Sequence, residues 1–326
     1  MKNLDRAFVK SVSLCLLWGA VCFSAYAATE GSFERTLNVT GAVDLDVASG
    51  SGNIVVRSVN SSMVHVRGLI RARDDWKLRA EDKVRYLESN PPIEQTGNVI
   101  RIGRIENREY SQNVSISYEL DVPADTRLKA KSGSGNVTAG GLSGSIDLST
   151  GSGNVKASGL GGEVRAETGS GNIDIDSVRA GAQVHTGSGS IHALGIAGAV
   201  KARTGSGNVK VEQTAPGDVD AETGSGEIIV SGVQGALRAH TGSGGIDAGG
   251  DPTGLWSLHA GSGSVKVRLK PNAAFDLNAH TSSGRVTLDH PVTVTGTISP
   301  KDLKGKVRGG GPLIEVTTGS GDVHIQ

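Results

Sequence analysis

The sequence predicts an all-β protein: a single-stranded, right-handed parallel β-solenoid (β-helix) of about 18-residue coils, with one short N-terminal helix. Three observations lead there. Gly-Ser-Gly recurs with its last glycine at Gly135, Gly153, Gly171, Gly189, Gly207, Gly226, Gly244 and Gly263, at intervals of 18, 18, 18, 18, 19, 18 and 19 residues. Aliphatic residues then fall in register on both sides of each turn, as at Val164 and Ala166 before Gly169 and Ile173 and Ile175 after Gly171, with mostly polar residues between them. Finally, only 3% of residues are aromatic against 48 glycines, so the core is thin and aliphatic.

A glycine-rich phosphate loop occurs once, at a strand-to-helix junction. A motif repeated at this period, with no helical pattern after it, is the turn of a stacked repeat. Each repeat reads as two short strands of period two. Neither strand buries its face alone, so equivalent strands of successive repeats stack into parallel sheets that share one core. About 11 to 14 coils at roughly 4.8 Å each make a rod on the order of 55–65 Å long. The right hand follows from the crossover rule. A left-handed triangular helix also uses coils of this length, but it needs an aliphatic residue every six positions, and here the apolar positions cluster on two sides. The serine between the glycines is expected to hydrogen-bond locally or to its equivalent in the next coil. Asn136, Asn154, Asn172 and Asn208 follow the turn in register and are expected to form an amide ladder.

The elements in order begin with a processing signal at residues 1–27. Lys2, Arg6 and Lys10 precede an apolar run from Ser11, and Ala25-Tyr26-Ala27 is a small-x-small site, so cleavage is expected after Ala27. The run is short for a retained membrane span. The residues before Cys22 match a lipid-attachment site poorly. Both cysteines, Cys15 and Cys22, lie in this segment, so the mature chain is expected to have no thiol chemistry. No later segment is apolar enough to span a bilayer. The location expected is periplasmic, cell-surface or secreted. Lys plus Arg equals Asp plus Glu at 33 each, and no basic excess points to nucleic acid.

Residues 28–130 read as irregular opening coils. Val43 to Ser58 is one full coil, and Ser61 to Arg73 is a long strand. A helix is expected near residues 75–89, with Trp76, Ala80, Val84 and Leu87 on one face, Asp74 or Asp75 as cap, and Pro91-Pro92 as stop. It is expected to cover an open sheet edge. Residues 131–290 are the regular solenoid. Residues 291–326 hold an insertion rich in glycine and lysine, a loop or hairpin, and then one last coil at the end of the stack.

The stretch from Tyr118 to Val137, the serial "TGSGNV"-type turns and the ending from Gly305 to Ile325 resemble a bacterial family called putative adhesin, a domain of unknown function. The resemblance spans roughly Phe33 to the end. It implies a β-solenoid and an envelope location, and it brings no catalytic residues.

For chemistry, an outward column just before the turn ends in His240, His259 and His280, expected on successive coils of one face. Histidines so spaced are a candidate for sharing a metal ion or sensing mild acid. No carboxylate or cysteine stands beside them in the column, so a solvated face is the expectation and no metal is assigned. Calcium is not expected, because the post-turn column carries one anion, Glu227. Arg165, Lys201, Arg203 and Arg238 mix with Asp147, Asp220, Glu167 and Glu222 without converging, so neither catalytic residues nor cofactors are assigned. The function expected is an exported, non-catalytic scaffold or adhesin binding an envelope protein, a glycan or the cell wall. The alternatives are a self-assembling structural protein of the envelope and a polysaccharide-active β-helix enzyme.

Overall fold

The computed structural model describes residues 28–294 and 299–326. The leader and its expected cleavage site fall outside the described residues. Two long sheets, of 14 and 15 strands, face each other. A coil places one strand in each. Val164–Thr168 lies in the 15-stranded sheet, the turn follows, and Ile173–Val178 lies in the 14-stranded sheet. In the regular region the strands are parallel and in register: Ile146 pairs with Val164, Val164 with Ala182 and Ala182 with Val200. On the facing sheet Val155 pairs with Ile173 and Ile173 with Ile191. Alternate residues of every such strand are buried between the sheets, so the aliphatic columns form one continuous core. Fully burying a Val, Leu or Ile side chain contributes about 1.5–3 kcal/mol, and one repeat supplies only about four apolar side chains, so a coil is stable only through its neighbours.

The turn shows why its residues are as they are. Thr168 Oγ1 donates to the carbonyl of Gly153 in the preceding coil (2.8 Å) and accepts from the N–H of Gly171 in its own turn (3.2 Å). Thr150 and Thr186 repeat this pair of bonds, and Ser132 does so with its own hydroxyl. A buried hydroxyl thus locks each of these turns to the one before it. The bonding expected of the middle serine is done instead by the residue before the turn, since Ser152, Ser170 and Ser188 point to solvent. Glycine is required because the coils touch: a Cβ on Gly171 would lie 1.9 Å from the carbonyl oxygen of Gly153. The asparagine ladder also forms, but side chain to backbone. Asn136 Oδ1 accepts from the N–H of Asn154, and Asn154 Oδ1 from that of Asn172, each at 2.8 Å.

Both ends depart from chain order. At the start, Val43–Ser49 lies between Val99–Ile102 and Thr126–Ser132, and Ile54–Val59 lies between Val114–Pro123 and Val137–Gly140. The first coil in sequence is therefore second in space. Beyond it the 14-stranded sheet continues with two antiparallel strands, Met63–Ala72 and Thr29–Asn38. The other sheet ends in Ile93–Thr96, antiparallel to Val99–Ile102. At the far end the last coil, Leu313–Ser320 with Val323–Ile325, sits inside the stack. It separates Trp256–Ser262 and Val265–Leu269 from Phe275–Ser283 and Val286–Leu288. The sequence alignment stacks Leu277 directly on Trp256; the structure inserts Ile314 between them. The insertion supplies Asp302–Val307, antiparallel to Phe275–Ser283, with Val292–Val294 paired to it in turn.

The main helix runs Ala80–Ser89, shorter than expected, and Trp76 lies outside it with 85% of its surface exposed. Asp75 explains the late start. Its Oδ1 accepts from the N–H groups of Lys77 (2.7 Å) and Leu78 (2.8 Å), which holds that stretch in a turn, while Asp74 Oδ1 accepts from the N–H of Ala80 (2.6 Å). The helix packs on the inner face of the two antiparallel strands, with Val84 against Gly31, and its Glu88 reaches the open edge, where Oε1 accepts from the N–H of Ser32. Lys83 is fully buried on this helix, bonded to Asp75 (2.5 Å) and to the carbonyls of Arg73 and Gln112.

Candidate binding groove

The strands of the 15-stranded sheet alternate inward and outward side chains, so each outward position becomes a column running down the stack. One column reads, strand by strand, as a charge alternation. Its bases are Arg101, Lys129, Arg165, Lys201 and Arg238, one on every second strand. Between them, on the intervening strands, stand Asp46, Asp147, Gln183 and Asp220, and Ser257 follows Arg238. The five bases are exposed, whereas the three aspartates are half-buried.

This column lines a groove of 1290 Å³ that crosses ten adjacent strands, from Val99–Ile102 to Trp256–Ser262. Nine strand spacings make it about 43 Å long. Its apolar rim includes the exposed Val99 and Leu255 at opposite ends, and no aromatic side chain lines it. Within it Arg127 pairs with Asp44, while Arg203 in the next column pairs with Asp220 (2.9 Å) and Glu222 (3.4 Å). Arg165 pairs with Glu167 (2.6 Å). Arg101, Lys129, Lys201 and Arg238 have no carboxylate within 4.0 Å among the described residues.

Sequence reasoning singled out Arg165, Lys201, Arg203 and Arg238 with Asp147, Asp220, Glu167 and Glu222. The structure sorts them into two neighbouring columns, with Arg203, Glu167 and Glu222 in the second. It adds Arg101 and Lys129, which the alignment of regular repeats did not reach. Lys129 stands in "TRLKAKSGSG" at the expected distance from a turn, so that signal was present. Arg101 joins only through a pairing out of chain order.

The histidine column is corrected in part. His240 and His259 are adjacent, their rings stacked 5.0 Å apart at 8°. His280 is not next to them, because Thr317 of the inserted coil stands between His259 and His280. His280 Nδ1 instead meets Asp302 (2.6 Å), and this contact holds the Asp302 carboxyl below its usual range. Among the described residues no group of three or more His, Cys, Asp or Glu is placed to hold a metal ion. In the post-turn column Asn136, Asn154, Asn172 and Asn208 spend a side-chain oxygen on the N–H of the next coil.

Residues 28–326 match the family described as Toastrack DUF4097. No curated relative matches the chain. Among solved structures it is similar to a putative adhesin from Bacteroides fragilis NCTC 9343, with 14% identity, a TM-score of 0.37, and coverage of 91% of this chain and 97% of that one. It is similar also to a "putative lipid binding protein" from Parabacteroides distasonis ATCC 8503, at 12% identity, TM-score 0.35, and coverage of 90% and 96%. A putative cell adhesion protein from Clostridium sporogenes ATCC 15579 is 8% identical with a TM-score of 0.21, over 91% and 99%.

Proposed function

The chain belongs to the Toastrack DUF4097 family, and on that footing we propose that it is an exported, non-catalytic binding protein whose groove on the 15-stranded sheet receives an extended envelope ligand. The observation that carries this reading is the run of exposed bases on alternate strands, four of them without a carboxylate partner among the described residues, along one groove across ten strands. Charges aligned along a line rather than converging on a point suit a polymer and not a reacting bond. Asp75 and Asp302, whose carboxyls are held below their usual range, both lie outside the groove. The same proposal includes a right-handed winding of about 18 residues per coil, following the crossover rule. It also includes the division into a leader at 1–27, opening coils at 28–130, regular repeats at 131–290 and an inserted end at 291–326. Export rests on the apolar leader and the small-x-small site ending at Ala27.

The test is co-sedimentation with an insoluble cell-envelope fraction. The double variant K201E/R238E reverses two groove charges, and K156E/K210E reverses two exposed lysines on the opposite sheet. The groove variant is expected to lose retention by roughly tenfold or more, equivalent to about 1.4 kcal/mol, with the opposite-face variant unchanged. Equal retention of all three proteins overturns the assignment of the groove.

A further inference from the structure

We propose that the groove takes a linear acidic glycan carrying one carboxylate on each disaccharide, laid along the stack of strands. The inference rests on the groove being the binding face and adds the class of ligand.

The bases occupy every second strand, so cationic groups recur about every 9.5 Å. That is the length scale of two sugars in an extended β-linked chain. An extended peptide repeats side chains on one face about every 6.6–6.8 Å and falls out of step within two repeats. Nucleic acid carries a charge about every 3.4 Å along each strand, so many of its phosphates would fall beside Asp46, Asp147 and Asp220.

Asp46, Asp147, Gln183 and Asp220 alternate with the bases in register. Carboxylates and amides accept hydrogen bonds from sugar hydroxyls, and the carboxylates repel a second anion. A polymer with a charge on every sugar is thereby disfavoured, whereas one with an uncharged sugar between acidic ones meets a base, then an acceptor, then a base. Selectivity then comes from repulsion as much as from attraction.

Arg101, Lys129, Lys201 and Arg238 are exposed and meet no carboxylate within 4.0 Å among the described residues. Arg127 and Arg203 close by are paired with acids. The unpaired bases fall in the alternating column itself. With no aromatic side chain in the lining, recognition runs through charge and hydrogen bonds rather than stacking on rings.

The experiment measures binding to an immobilised polysaccharide bearing a uronic acid at every second sugar. The comparison polymers are its carboxyl-reduced neutral derivative and a polymer acidic at every sugar. The acidic alternating polymer is expected to bind most tightly. Affinity is expected to fall roughly tenfold on carboxyl reduction and again with K201Q/R238Q, and to weaken as salt screens the contacts. K156Q/K210Q is expected to bind as the wild type does. Oligosaccharides are expected to gain affinity with added disaccharides until the chain spans the column of bases, and then to level off. Equal binding of the neutral and acidic polymers, or no binding of either, overturns the ligand class. If the envelope-fraction assay still separates K201E/R238E from the wild type, the groove stands with a different ligand. If it does not, the groove assignment falls as well.

Discussion

Thr168 shows how much of this fold rests on one hydroxyl per coil. It bonds a carbonyl of the preceding turn and an N–H of its own, both away from water. Thr168→Val leaves both groups unpaired and is expected to cost about 1–3 kcal/mol in urea unfolding. The column has one gap. Ala260 is fully buried between Thr241 and Thr318, so Ala260→Thr is expected to raise stability by about 0.5–1.5 kcal/mol. Gly171→Ala drives a methyl into the carbonyl of Gly153 and is expected to cost about 3 kcal/mol or more by the same measurement. Asp75 gives a pH signature. Bonds from Lys83 and from the N–H groups of Leu78 and Lys77 lower its carboxyl from 3.8 to about 2 in the folded protein. A carboxyl depressed by folding contributes stability that is complete above the unfolded value of about 4. That contribution is lost as pH falls from there through about 2. The gap in melting temperature between wild type and Asp75→Asn is therefore expected to be widest near neutrality and to close in that window. The periodic residues were legible in the sequence because each column repeats its reason in every coil. The role of the threonine was not, since Thr-Gly-Ser-Gly offers two hydroxyls and burial alone decides which one bonds.

Among the elements, the opening strand Thr29–Asn38 is a ten-residue sheet edge, the kind of surface that invites another strand to pair. Three of its outward groups are already occupied. The N–H of Ser32 donates to Glu88 Oε1 (3.1 Å), the carbonyl of Glu34 accepts from Arg35 Nη1 (2.8 Å), and that of Asn38 accepts from Gln95 Nε2 (2.8 Å). This edge is thus blunted in part, which disfavours pairing with a further strand there. The triple variant R35A/E88A/Q95A is expected to form dimers or larger assemblies in sedimentation velocity at concentrations where the wild type stays monomeric. The helix that carries Glu88 was legible from the spacing of Ala80, Val84 and Leu87, all buried. Its start was not, because Trp76 completes the same apolar spacing, and only the Asp75 turn excludes it.

For the molecule as a whole, the sequence carries the period but not the order. Repeats one period apart do stack through the regular region, where each register follows from its neighbour. At both ends the chain skips a place and returns to it, and a local pattern holds no record of that detour. A truncation ending at Pro312 removes Leu313–Ser320 and Val323–Ile325 from between two layers. It is therefore expected to abolish hydrogen-exchange protection in Phe275–Ser283 as well, and not merely in the residues deleted. A solenoid whose repeats stack in chain order can fray inward from either tip. Here the segment Leu313–Ile325 acts as a keystone: it joins layers that precede it in sequence, so a chain clipped just before it leaves both neighbouring layers unfinished and open to proteases.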